Sequence, residues 1–228
     1  LKLNSFYHKS KKLEVIHQSI NKTKIDFNKK KKIIVFVGKL NSAKGYDIFA
    51  TSITKILDKY NDWRALVIGD EPREKIELKH KNLINLGFTI HSEVLRSFEK
   101  SSIAVACSRW EEPFGRTSLE ASSRGCAVII SNRGGLPETI TNGIILKKIN
   151  SDELFKSIEN LILNQKKLKK LQLDAYKNFF LTDKYSSTKI DNYRDGIFKK
   201  NNKNFLLTKK LKNLKILHIT NFNERHDG

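Results

Sequence analysis

The chain has 228 residues, 39% of them hydrophobic, enough to bury one substantial core and form one domain with appendages. Its 44 Lys and Arg against 24 Asp and Glu give a formal net charge of +20, which raises phosphate-rich ligands, anionic membranes and nucleic acid as partners; the excess is diffuse apart from runs at 29–32 and 166–170, so most of it reads as solvated surface. No stretch approaches the roughly 18 consecutive apolar residues of a membrane helix, and no signal-peptide pattern opens the chain, so a cytoplasmic protein is expected.

In chain order, a short apolar segment at 13–20 leads into a lysine-rich connector up to residue 31. The β-branched run Ile33-Ile34-Val35-Phe36-Val37, ending at Gly38, has the pattern of a parallel strand buried on both faces. Residues 46–60 then place Ile48, Phe49, Ile53, Ile56 and Leu57 at helical spacing, so strand, glycine loop and helix form the first unit of a doubly wound sheet. Strands are predicted at 63–68, 83–86 and 103–107, with helices at 73–81 and 92–100 between them, the latter capped by Ser92. A helix at 117–123, strands at 127–130 and 144–146, and helices at 152–163, 166–180 and 184–200 complete the pattern, with Ser151 as another cap. The fold class is therefore α/β, a Rossmann-like doubly wound parallel sheet followed by C-terminal helices.

The segment Glu112-Pro113-Phe114-Gly115-Arg116-Thr117-Ser118-Leu119-Glu120 carries the functional reading. A strand ends, a Pro-Phe-Gly turn follows, and a helix begins, so unpaired N–H groups and the positive end of a helix dipole face whatever binds there, which suits a phosphate. Glu112 precedes that helix and Glu120 lies about two turns into it. Carboxylates on either side of an anion site do not suit phosphate, but they do suit hydroxyl groups at the two ends of a nucleotide-sugar. Glu138 and Arg116 remain open between ligand contact and capping or solvent. Cys107 and Cys126 lack CxxC spacing and read as buried free thiols. The acidic pairs Asp70-Glu71 and Glu111-Glu112 have neither DxD spacing nor a histidine partner, so no metal is expected.

These motifs, with Gly38-Lys39-Leu40-Asn41-Ser42-Ala43-Lys44-Gly45 upstream and Gly134-Gly135-Leu136-Pro137-Glu138 downstream, resemble the nucleotide-sugar-binding half of family 4 glycosyltransferases over roughly residues 15–193. The resemblance implies a GT-B fold and retention of anomeric configuration. It implies that Glu112 sits by the donor sugar and Glu120 holds the ribose hydroxyls. Lys39 and Lys44 would hold the diphosphate, the family more often having arginine where Lys39 stands, which turns a bidentate fork into a point charge. Gly38, Phe114, Gly115 and Arg116 would complete the donor site, and Gly134 and Gly135 would let backbone approach the donor. The implied function is transfer of a hexose from a nucleoside diphosphate sugar to a glycan or lipid-linked acceptor, in cell-surface polysaccharide biosynthesis, with no cofactor or metal; a peripheral contact with an anionic membrane stays open from the charge alone.

Residues 1–30 are then a linker and remnant of an acceptor-binding half, 31–198 the donor domain, and 199–228 a linker and the start of a further unit, opened by a strand at 214–219. The chain begins at Leu1 and contains no methionine, so it reads as a fragment that binds donor and turns over little. Two rival readings stand beside this one: a sugar-nucleotide epimerase, phosphorylase or other GT-B relative, and a basic nucleic-acid-binding module. The second would need aromatics interleaved with Lys and Arg on one exposed face, whereas the aromatics here fall mostly in apolar-periodic segments.

Overall fold

In the computed structural model of the chain, backbone is described for residues 15–201 and side chains for residues 15–196. The expected strand at 214–219 and most of the expected linker before it lie outside the described residues. The chain divides into two compact units at residues 187 and 188. Within the second, Arg194 pairs with Asp191 at 3.3 Å within one helix. The sheet and the candidate site lie in the first unit.

Six strands form one parallel sheet: β1 (Lys31–Val37), β2 (Arg64–Ile68), β3 (Leu83–Asn85), β4 (Ser101–Ala106), β5 (Ala127–Ser131) and β6 (Ile144–Leu146). Their order is β3-β2-β1-β4-β5-β6. The helices are α1 (Tyr46–Lys59), α2 (His91–Lys100), α3 (Arg116–Ser123), α4 (Ser151–Leu163), α5 (Gln165–Lys177) and α6 (Asp183–Asn201). A 3-10 turn at Leu136–Thr139 separates β5 from β6.

The alternation of side chains along each strand explains why both faces are covered. Ile34 and Phe36 of β1, Ile103 and Val105 of β4, and Ala127 and Ile129 of β5 share one buried cluster with Phe49, Ile53, Leu57, Leu154 and Ile158 of α1 and α4. Their neighbours Val35, Ala104, Val128 and Ile130 join Val94 and Phe98 of α2 and Ala121 of α3 in another. The centres of β1, β4 and β5 are apolar on both sides, so both faces of the sheet must be covered there, and right-handed crossovers place helices on both.

Both cysteines are free and buried, as the sequence implied. Burial pushes the Cys107 thiol up to about 12 and raises that of Cys126. Burial also lowers the pKa of Lys30, whose Nζ donates to the carbonyls of Phe98, Ser101 and Arg124, each at 2.8 Å.

Three local expectations need correction. No helix forms at 73–81: the segment is irregular, with partly buried Ile76 and Leu78 two residues apart against the core. That spacing suits an extended chain rather than a helix. Ser92 does not cap α2, which starts one residue earlier with Ile90 at the cap position and no side-chain capping bond. At α4 the cap is Asn150 rather than Ser151, and its Oδ1 accepts from the Glu153 N–H at 2.9 Å. Among the described residues no helix is long and apolar enough to cross a membrane.

Candidate functional site

In a doubly wound sheet, crossovers leave in opposite directions from the two central strands, opening a crevice beyond their carboxyl ends. Here those strands are β1 and β4. A cavity of about 210 Å³ lies at that position. Phe36, Val37 and Gly38 line it from the end of β1, and Ala106 and Ser108 from the end of β4. Lys44, Glu112, Gly115, Arg116, Thr117 and Leu136 close the remaining sides.

Lys44 stands on the loop between β1 and α1. The loop turns because Asn41 Oδ1 accepts from the Lys44 backbone N–H at 2.9 Å. The Lys44 Nζ donates to Glu112 Oε1 at 2.6 Å, with the two side chains 32% and 12% exposed. A second fastening holds the same loop to the segment after β4: the Arg109 guanidinium meets both Asp47 carboxylate oxygens at 2.6 and 2.7 Å and the Ser42 carbonyl at 2.7 Å. The Ala43 carbonyl accepts from the backbone N–H groups of Arg109 and Trp110. That fork holds the Asp47 carboxyl below the usual aspartate range. On the outer side, Asn41 Nδ2 donates to Glu71, whose carboxyl Arg73 holds at about 2.

α3 contributes its N-terminus. Gly115 occupies the cap position with φ +104° and no side-chain capping bond. A β-carbon there would stand 2.6 Å from Leu136 Cδ2, so the site needs glycine both for its backbone angle and for its space. Gly115, Arg116 and Thr117 line the cavity, which puts the uncapped first turn against it. The N–H groups of such a turn and its dipole favour an anion.

The glycine pair acts on the site through Glu112. The Gly135 N–H donates to the Glu112 carbonyl at 2.7 Å, and the Gly134 N–H to Glu111 Oε2 at 2.6 Å. A β-carbon on Gly134 would collide with that Glu112 carbonyl oxygen. The pair therefore packs backbone on backbone against the residue that positions Lys44, and Glu111 is the carboxylate that anchors it.

Glu120 faces α2 and is 5% exposed. Its Oε1 accepts from Arg116 Nε at 2.9 Å and pairs with His91 Nε2 at 2.8 Å. Of the residues singled out in the sequence, Gly38, Lys44, Glu112, Gly115 and Arg116 line one cavity. Glu120 joins them through Arg116. Lys39 is exposed beside Gly38 and outside the lining. Phe114 turns away from the cavity, its ring centroid 5.5 Å from that of His17, and packs against the cluster of Ile20, Leu119, Phe179 and Leu181. Glu138 pairs with His17 Nε2 at 2.6 Å.

Sequence reasoning missed Asp47, Ser108, Arg109 and His91. Only Ser108 carried a signal, standing one residue beyond the predicted end of the fourth strand. Among the described residues no cluster of three or more His, Cys, Asp or Glu could hold a metal ion.

Comparison with known proteins gives a consistent result. The family described as glycosyl transferases group 1 matches residues 17–178. Spore coat protein SA of Bacillus subtilis is 31% identical over 158 residues, 62% of this chain and 42% of that protein. The C-terminal domain of the group 1 glycosyl transferase LpcC from Francisella tularensis superposes with a TM-score of 0.58 at 25% identity, covering 72% of this chain and 93% of that domain. HepE of Anabaena, solved in complex with UDP-glucose, superposes with a TM-score of 0.61 at 18% identity over 74% of this chain and 49% of its own length. The chain spans less than half the length of the first curated relatives it matches. A cavity at the switch point of a six-stranded parallel sheet and a family match over well over half of the chain agree: the chain belongs to the group 1 glycosyltransferases and has the Rossmann-like fold of the C-terminal half of a GT-B enzyme.

Proposed function

We propose that this chain is the donor-binding half of a retaining hexosyltransferase, which moves a hexose from a nucleoside diphosphate sugar to a glycan or lipid-linked acceptor. The observation that carries the reading is the convergence of Lys44, Glu112 and the uncapped N-terminus of α3 on one cavity. Anion-stabilising groups on one side and a carboxylate beside them match a diphosphate joined to a polyol. The family supplies sugar transfer, and HepE, a structural neighbour, was solved with UDP-glucose.

In the proposed reaction the bond between the anomeric carbon and the β-phosphate oxygen breaks, and its electron pair stays on the phosphate. Lys44, Lys39 and the first-turn N–H groups of α3 stabilise the charge that develops there, with no metal ion invoked. The acceptor hydroxyl attacks from the face the phosphate leaves, and its proton passes to the departing phosphate oxygen, so configuration is retained. Glu112 orients the sugar and Glu120 holds the ribose hydroxyls. Acceptor groups come from the other half of the enzyme, so this chain alone binds donor and turns over little. The exposed lysines of the two runs, Lys29, Lys31 and Lys32 in one and Lys166, Lys167, Lys169 and Lys170 in the other, support a peripheral contact with an anionic membrane on the cytoplasmic side. Co-sedimentation with phosphatidylglycerol vesicles tests that contact.

A thermal-shift and calorimetric screen of nucleoside diphosphates and their sugars tests the reading. Saturable binding of one of them supports it, and no binding across the panel refutes it. Formation of an epimerised nucleotide-sugar with no acceptor present would favour an epimerase.

A further inference from the structure

Glu120 is held more firmly than a ligand-binding carboxylate on a helix surface needs to be. Its side chain is 6% exposed, while the two groups bonded to it, His91 and Arg116, are 55% and 59% exposed. They come from different elements: Arg116 from the first turn of α3, one turn before Glu120, and His91 from the first residue of α2 beyond the carboxyl end of β3. Both reach the same oxygen, Oε1. An ionised carboxylate only accepts, so His91 donates from Nε2–H. Oε2 takes no hydrogen bond among the described residues, and it is not among the buried polar atoms left without a partner. One oxygen is thus committed to the protein and the other is left for a ligand. Arg116 also lines the cavity, so the carboxylate lies one side chain away from it.

We propose that His91 is a positioning residue for the nucleotide ribose: with Arg116 it fixes Glu120 Oε1, so that Oε2 is presented in one orientation to the vicinal hydroxyls of the donor. The inference rests on the proposed reading of Glu120 as the ribose acceptor. It adds a residue from the β3–α2 connection to a site otherwise built from β1, β4 and α3. It also gives that connection a part in discriminating ribose from deoxyribose. A staple that merely joined α2 to α3 would matter for stability and leave that discrimination intact.

The test uses the whole chain and whichever of UDP, GDP, ADP and TDP binds the wild type, each with its ribose or 2′-deoxyribose counterpart. His91→Ala is expected to weaken the ribose diphosphate about fivefold, less than the full loss of a charged hydrogen bond because Arg116 remains. Affinity for the 2′-deoxy counterpart and for inorganic pyrophosphate should stay within about twofold, so the ribose preference shrinks. In a Glu120→Gln background the same replacement should add little further loss, and His91→Gln, which keeps a side-chain N–H donor, should restore much of the affinity. An undiminished ribose preference in His91→Ala overturns the role of His91 while leaving the donor site standing. Failure of every nucleoside diphosphate to bind the wild type overturns the donor reading and this inference with it.

Discussion

Lys44 already has an anionic partner in Glu112 Oε1, 2.6 Å from its Nζ, and a diphosphate in the cavity must share or displace it. Replacing Glu112 by glutamine keeps the shape of that side chain and removes its charge. Unit charges about 4 Å apart attract by about 4 kcal/mol at an effective dielectric of 20. Lys44 is 32% exposed, however, and water offsets most of that, leaving roughly 1 kcal/mol for a pair whose other member is 12% exposed. The released lysine is then available to phosphate, and the repulsion between Glu112 and the diphosphate disappears as well. Glu112→Gln should therefore bind the nucleoside diphosphate about fivefold more tightly, since 1.4 kcal/mol is tenfold in Kd. The gain should shrink as salt is raised. In an enzyme completed by its acceptor half, the same change should depress sugar transfer, because the carboxylate that orients the hexose is gone. Titration calorimetry at low and high salt provides the measurement. Unchanged or weaker diphosphate binding at low salt would refute the idea that Glu112 competes for Lys44.

Glu120→Gln should act in the opposite direction, weakening the nucleoside diphosphate about tenfold through a hydrogen bond of about 1.5 to 3 kcal/mol to the ribose, with the fold intact by circular dichroism. Unchanged affinity in calorimetry would remove Glu120 from the site. The depressed pKa of Asp47, caused first by its bond to Arg109, makes a pH prediction. Its contribution to stability is complete above the ordinary aspartate range and is lost as pH falls through the lower folded value, so Asp47→Asn should lower Tm near neutrality and not in strong acid. For an exposed fork of about 1 kcal/mol the shift is about 2–4 °C, and an equal drop at all pH values would contradict this. Both thiols should resist alkylation at pH 8 in the native protein and react once it is unfolded in guanidinium, because burial raises both pKa values. Fast native-state labelling would show that the core around Cys107 or Cys126 opens.

The sheet was legible because its strands announce themselves: Ile33 to Val37 and Ala127 to Ile130 are apolar at every position, which only a strand covered on both faces tolerates. The alternating segment after β2 was harder, since Ile76 and Leu78 sit among charged residues whose helix propensity favours the wrong structure until the core they touch is known. The cap of α4 slipped by one residue for a similar reason: Asn150 and Ser151 are equally good caps by type, and only backbone geometry chooses between them. At the site, local motifs identified Gly38, Lys44, Glu112, Gly115 and Arg116, each on the connection that leaves the carboxyl end of β1 or β4 for the next helix. The Arg109–Asp47 fork and the His91–Glu120 bond join residues 62 and 29 positions apart, a distance at which no sequence period operates.

A donor held through its diphosphate in the cavity at the β1–β4 switch point must depend on Lys44. Calorimetric titration of wild type and Lys44→Ala with a nucleoside diphosphate and with the corresponding nucleoside tests it most directly. The expected result is a loss of about tenfold or more for the diphosphate, the scale of a lost charged hydrogen bond, with nucleoside affinity within about twofold of wild type. Equal losses for the two ligands, or no loss for either, would contradict it.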